Sequence, residues 1–259
     1  MSNMYSNPRE ECVSDDDKML ERVRRLLSKA EGAATESERD AYNAKAAELI
    51  ARYGIAEALL AAKAATGARP ADRIVILDAP YARDKASLLS AVALPLGVQG
   101  VLCSQRTASG TQLSMHLFGM SPDLERVDVL YTSLLVQAAH GLAVARPADA
   151  YESVAAYRRS WMLGFAYTIQ RRLIATEAAA AERAEQNHRS QSDGGPSVSL
   201  VLADRATMVQ QAMADAYPRL RSAPTRYLSG TGHAAGAAAA RRADLGGTRL
   251  GRRSRPALR

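Results

Sequence analysis

The amino-acid sequence predicts an α+β fold dominated by helix, with an N-terminal helical hairpin, a small antiparallel sheet covered by long helices, and a basic C-terminal segment. Three observations carry that prediction. Apolar residues recur at helical spacing over Asp17–Ile55 and over longer stretches downstream. Compact β-branched or alternating runs gather between Arg73 and Gly119. Apolar residues make up 47% of the chain but aromatic ones only 5%, so the core is built from Leu, Val, Ile and Ala, which suits closely packed helices.

In the first helix Met19, Leu20, Val23, Leu26, Leu27 and Ala30 fall on one stripe at ~100° per residue. Asp15, Asp16 and Asp17 precede it, where carboxylates favour the positive end of the helix dipole. Gly32 supplies a stop. Thr35-Glu36-Ser37-Glu38 then fits a capping box that opens a second helix, with Thr35 as N-cap and Glu38 reaching back. Tyr42, Ala46, Leu49, Ile50 and Tyr53 form its apolar arc. Gly54 is expected to end it, with Ile55 folding back. Two stripes joined by so short a loop pack as an antiparallel pair.

Leu26-Leu27-Ser28-Lys29-Ala30, a gap, then the run from Ala44 to Ile55 resembles the N-terminal module of the domain-of-unknown-function family numbered 2786, whose members occur in bacteria and their phages. Downstream, Ser160-Trp161-Met162-Leu163-Gly164-Phe165 and the closing glycine-spaced helix are similar to the companion region that commonly follows that module. The resemblance implies no activity and transfers no catalytic residue, because the family has none established.

The polar side of the first helix gives the sharpest functional candidate. Lys18, Arg22, Arg25 and Lys29 lie at i, i+4, i+7 and i+11, one cationic line beside the apolar stripe. Such a ridge can follow a phosphate backbone; the favoured reading is an ordinary solvated helix face whose long stems cover the core edge. Net charge is +7, unevenly spread. Arg219–Arg259 holds ten arginines and one acid, Asp244, for +9, so the preceding 218 residues carry −2. Within that basic end Arg241, Arg242, Arg249, Arg252 and Arg253 join the candidate nucleic-acid-binding set. The competing reading is a solubilising arginine tail.

The remaining elements follow in order. Arg73–Leu77 reads as a strand and Tyr81–Leu94 as a helix with Leu88, Leu89 and Val92 inward, ended by Pro95 and Gly97. Gly100–Arg106 and Thr111–Gly119 form a hairpin around Ala108-Ser109-Gly110, with Leu113, Met115 and Leu117 on the core face. Ser121 is the expected N-cap, with Pro122 in first helical position, of a helix to about Val144. A long helix runs from near Tyr151 to about Glu185, and its Gly164 admits a neighbouring backbone. Leu200-Val201-Leu202 is a candidate short strand, followed by a helix capped by Asp204. In the last helix Gly232, Gly236, Ala240 and Ala243 form a smooth stripe. It lets helices approach closely, or lets a backbone approach phosphates; the latter lacks any Gly-x-x-x-x-Gly-Lys or strand-linked Gly-x-Gly-x-x-Gly context.

Recognisable catalytic motifs are missing. His116, His140, His188 and His233 are isolated in sequence, no Gly-x-Ser-x-Gly elbow is present, and Cys12 and Cys103 make neither a disulfide framework nor a zinc site. Cys103 reads as a small buried hydrophobe. Asp78, at a strand end, is a turn residue or an acid or base; with His116 or His140 it would contribute to an assembled hydrolase site. The expected organisation is a leader (1–14), the hairpin module (15–66), an α+β core domain (71–186), a linker (187–199), C-terminal helices (200–247) and a basic tail (248–259). No apolar run reaches the ~20 residues that span a bilayer, and Met1–Ser14 has no apolar signal core. The expectation is a cytoplasmic, non-catalytic binding protein without cofactor or membrane partner. It engages DNA or RNA, or alternatively another protein.

Overall fold

The computed structural model describes residues 69–108, 110–190, 197–221, 227–243 and 245, together with 22, 23, 25, 26, 29, 35, 38, 42, 45, 49–55 and 58 of the N-terminal segment. The fold is α+β and helix-dominated. After the hairpin residues the chain forms β1 (Ala71–Leu77), α1 (Ala82–Ala93), a 3₁₀ turn (Leu94–Leu96), β2 (Gln99–Thr107), β3 (Gly110–Gly119), α2 (Ser121–Val144), α3 (Val154–Ser190), α4 (Val198–Ala216) and α5 (His233–Arg242).

The sheet has the order β1-β3-β2, antiparallel throughout. The two outer strands therefore run parallel, α1 crosses between them, and the β2–β3 hairpin fills the gap. Side chains alternate across the sheet. Val75, Leu77, Leu113, Met115 and Leu117 face the helices and enter the core with Leu88, Leu89 and Val92 of α1. Asp72, Ile74, Ile76, Ser114, His116, Phe118, Val101 and Cys103 share the opposite face, as the registers Asp72↔Phe118, Ile74↔His116, Val101↔His116 and Cys103↔Ser114 require.

Several boundaries differ from the sequence reading. Pro95 does not simply end α1; it sits in a 3₁₀ turn that Gly97 closes at φ 76°. Helix α2 begins at Ser121 itself, because extended Met120 is the N-cap and its carbonyl accepts from the Leu124 N–H at 2.9 Å. Leu200–Leu202 is helix, not strand. Ser197 caps α4 by accepting from the Leu200 N–H at 3.3 Å, and the Glu185 carboxylate accepts from the Val198 N–H at 2.8 Å. Val198, Val201 and Val209 then make the buried stripe, a helical spacing that three consecutive apolar residues could not disclose. Nor does Gly54 stop the second hairpin helix: Gly54 and Ile55 are both helical. Missing a side chain there serves a different purpose, since a Cβ on Gly54 would collide with the guanidinium of Arg126.

The α3–α5 contact matches the small-residue expectation. A Cβ on Gly164 would strike the His233 carbonyl, and one on Gly236 the Trp161 carbonyl. The helices meet backbone to backbone, over the stacked rings of Trp161 and Phe165 at 5.2 Å. Arg172 of α3 then caps α5, donating to the carbonyls of Ala240 and Ala243. Val23, Leu49 and Ile50 of the hairpin and Ala240, Ala243 and Leu245 of the C-terminal region belong to the same hydrophobic cluster as the sheet and α1–α3. At 24 residues α2 is long and apolar enough to cross a membrane by length and composition, contrary to expectation. Its buried Leu124, Val127, Leu130, Leu134 and Ala138 line the protein's own core.

Candidate nucleic-acid interface and neighbouring polar clusters

The hairpin is seated by its apolar stripe. Val23 is fully buried, and Leu49, Ile50, Ala51, Tyr53, Ile55 and Ala58 are buried on the second helix. Thr35 is the N-cap, accepting from the Glu38 N–H at 3.1 Å, while the Glu38 carboxylate takes the Tyr42 hydroxyl at 3.3 Å. The helices lie side by side, with Lys29 Nζ 5.8 Å from the Tyr42 ring centroid.

Burying Val23 fixes which way the cations point. Arg22, Arg25 and Lys29 are all exposed, and Lys45 and Arg52 of the second helix are exposed as well. Arg241 and Arg242 are exposed in the last turn of α5, where cations suit the negative end of the helix dipole. The structure thus brings Arg22, Arg25 and Lys29 onto one helix face and places Arg241 and Arg242 on a separate element. Lys18, Arg249, Arg252 and Arg253 lie outside the described residues.

Beneath the hairpin is a cluster that sequence reasoning missed. Arg126, 3% exposed, donates to Asp123 Oδ1 at 3.0 Å and Glu177 Oε1 at 2.5 Å, and Arg205 donates to Asp123 Oδ2 at 2.8 Å. The four charges sum to zero and tie α2, α3 and α4 together. Burial works against the Arg126 charge, but the charges and hydrogen bonds of Glu177 and Asp123 outweigh it and hold the guanidinium above its usual range. Among the described residues its Nε has no hydrogen-bond partner. The Asp123/Arg126 spacing was visible in sequence as an i,i+3 pair; Glu177 and Arg205, 51 and 82 residues away, carried no local signal.

On the outer sheet face His116 Nε2 is 2.8 Å from Asp72 Oδ2, and Nδ1 is 2.8 Å from the Tyr217 hydroxyl. That hydroxyl is 3.4 Å from Cys103 Sγ. With the Nε2 proton donated to Asp72, Nδ1 accepts from Tyr217. The Tyr217 hydroxyl is pushed up to about 12, first by its bond with Cys103, then by burial and by the charges of Cys103 and Asp72. Tyr217 follows α4 directly and packs edge-on against His116 and Phe118, so this chain of contacts fastens the end of α4 to the sheet. Cys103 is therefore a half-buried polar contact, correcting the reading of a buried hydrophobe. His116 does not meet His140, which is exposed on α2, and both imidazole nitrogens of His116 are engaged. Asp78 is exposed, and its carbonyl accepts from Lys85 Nζ at 2.8 Å. Among the described residues no group of three or more His, Cys, Asp or Glu is placed to hold a metal ion.

Residues 18–57 match the family described as "Protein of unknown function (DUF2786)". The match covers the hairpin and stops before β1. Comparison with curated proteins and with solved structures found no match.

Proposed function

We propose that this protein is a non-catalytic, nucleic-acid-associated binding protein whose hairpin presents Arg22, Arg25 and Lys29 to a phosphate backbone, assisted by its arginine-rich C-terminal end. One observation supports this above others. Val23 anchors the first helix to the core at full burial, so its neighbouring cations project together from a docked surface. Lys45 and Arg52 extend the exposed positive charge onto the second helix.

Binding of duplex DNA and of single-stranded RNA by the full chain, measured at two salt concentrations, tests the reading. Affinity is expected to fall by ~0.9 log units per log salt for each duplex phosphate contacted. Arg22→Glu/Arg25→Glu/Lys29→Glu is expected to weaken binding and flatten that slope by about three contacts. Undetectable binding at low salt rejects the proposal. Capture of a protein that survives nuclease treatment would favour a protein-interaction role through the same hairpin.

A further inference from the structure

On the side of the molecule where α1, α2 and α3 meet, a cavity of about 320 Å³ opens between the Pro80–Tyr81 turn and the helices. Its size lies at the lower end of the ~300–1,000 Å³ typical of small-ligand sites. The walls are apolar: Leu135 and Leu142 of α2 and Met162 of α3, with the space itself left by alanines of α2. The charged groups in the lining are Lys85 and Arg158, and they have the same sign. Each is steered by a backbone carbonyl, Lys85 Nζ by Asp78 at 2.8 Å and Arg158 Nε by Ala145 at 3.4 Å. Neither forms an ion pair with a carboxylate among the described residues. The C-terminal end of α2 would by itself repel an anion. That effect is offset, because Arg146 donates to the carbonyls of Ala143 and Ala145.

The cavity mouth is also where the backbone is held in an unusual state. Tyr81, which lines it, sits at φ 65°, ψ 27°, a left-handed conformation costly for a side-chain-bearing residue. It is kept there by its carbonyl, which accepts from the N–H groups of Asp84 and Lys85, both at 2.9 Å. Such outliers gather at ligand clamps. An open apolar pocket with two cations that no carboxylate among the described residues pairs selects an occupant with an apolar body and one negative head. With a water taking ≈30 Å³, the chamber holds about ten water-sized groups. We propose that this cavity binds a free medium-chain monocarboxylic acid, its tail among Leu135, Leu142 and Met162 and its carboxylate between Lys85 and Arg158.

The probe is decanoate, titrated into the full chain by calorimetry. Trp161, the chain's single tryptophan, adjoins Met162 and serves as a fluorescence reporter. Saturable binding below about 1 mM is expected, with decan-1-ol binding at least about tenfold more weakly. Lys85→Gln/Arg158→Gln should cost decanoate about tenfold while leaving decanol unchanged. Ala143→Phe, a substitution at an exposed lining position, should fill the cavity and abolish binding of both probes. Circular dichroism establishes that each variant is folded, and the wild-type comparison of acid with alcohol stands without any variant. Equal affinity for decanoate and decanol, no saturable binding of decanoate, or unchanged affinity in Ala143→Phe would overturn the proposal.

Discussion

Along α3 two seams hold the helix by opposite means. Near Gly164 it meets α5 through bare backbone, with nothing between the helices but the absence of side chains. A few turns later Glu177 reaches the buried Arg126 of α2, and Arg205 of α4 joins through Asp123. The first seam is specified by shape and tolerates no added volume. The second is specified by charge and tolerates no missing partner. Dispersion gained at close contact falls away within an ångström, whereas a buried ion left alone keeps its full desolvation penalty. Disturbing the charge seam should therefore cost more.

Arg126→Ala makes the largest change. It leaves Glu177 unpaired and Asp123 with Arg205 alone, and urea unfolding should show a loss of about 3–5 kcal/mol. A loss below ~1 kcal/mol, within the range of ordinary substitutions, would show that the charge seam is not specified by its partners. Gly236→Ala comes next. The new methyl must displace the Trp161 carbonyl, at an overpacking cost of about 1–3 kcal/mol. That cost outweighs the ~1 kcal/mol that Ala gains over Gly in a helix. If Gly236→Ala proves neutral, shape does not specify the α3–α5 seam.

The smallest effect belongs to neither seam. Tyr217→Phe removes the hydroxyl that links His116 and Cys103, for about 1 kcal/mol. Its signature is in the pH dependence. Tyr131 is pushed up to about 12 by burial, and Tyr217 to about 12 first by its bond with Cys103. Both keep their protons in the folded chain above the ordinary tyrosine value of about 10. The folded state thus binds more protons between about pH 10 and 12, and stability is full below that window and declines as pH rises through it. Tyr131→Phe and Tyr217→Phe should each flatten that alkaline decline, while Arg126 keeps its charge throughout.

What was readable in the chain was what neighbours in sequence decide. Thr35 caps Glu38 three residues away, Gly110 takes φ 125° at the hairpin, and Leu113, Met115 and Leu117 alternate with Ser114, His116 and Phe118 because the strand period is two. The error at Ser121 is a shift of one residue, the cap falling to the neighbouring Met120 backbone. Those at Leu200 and Gly54 share one cause: the local signal was shared between alternatives, and a distant group chose. Glu185 holds the start of α4, and Arg126 occupies the space at Gly54.

By itself, then, the sequence determined the helix-dominated α+β class, the hairpin and its line of cations, and the small-residue faces of α3 and α5. Each follows from periodicity or from a residue's own conformational limits. Only the tertiary structure decided that Asp72, His116, Tyr217 and Cys103 meet, that four charges from α2, α3 and α4 cancel under the hairpin, and that Lys85 and Arg158 face one apolar chamber. Those juxtapositions join residues tens to more than a hundred positions apart. They are set by how whole elements pack, and packing leaves no mark at any single position.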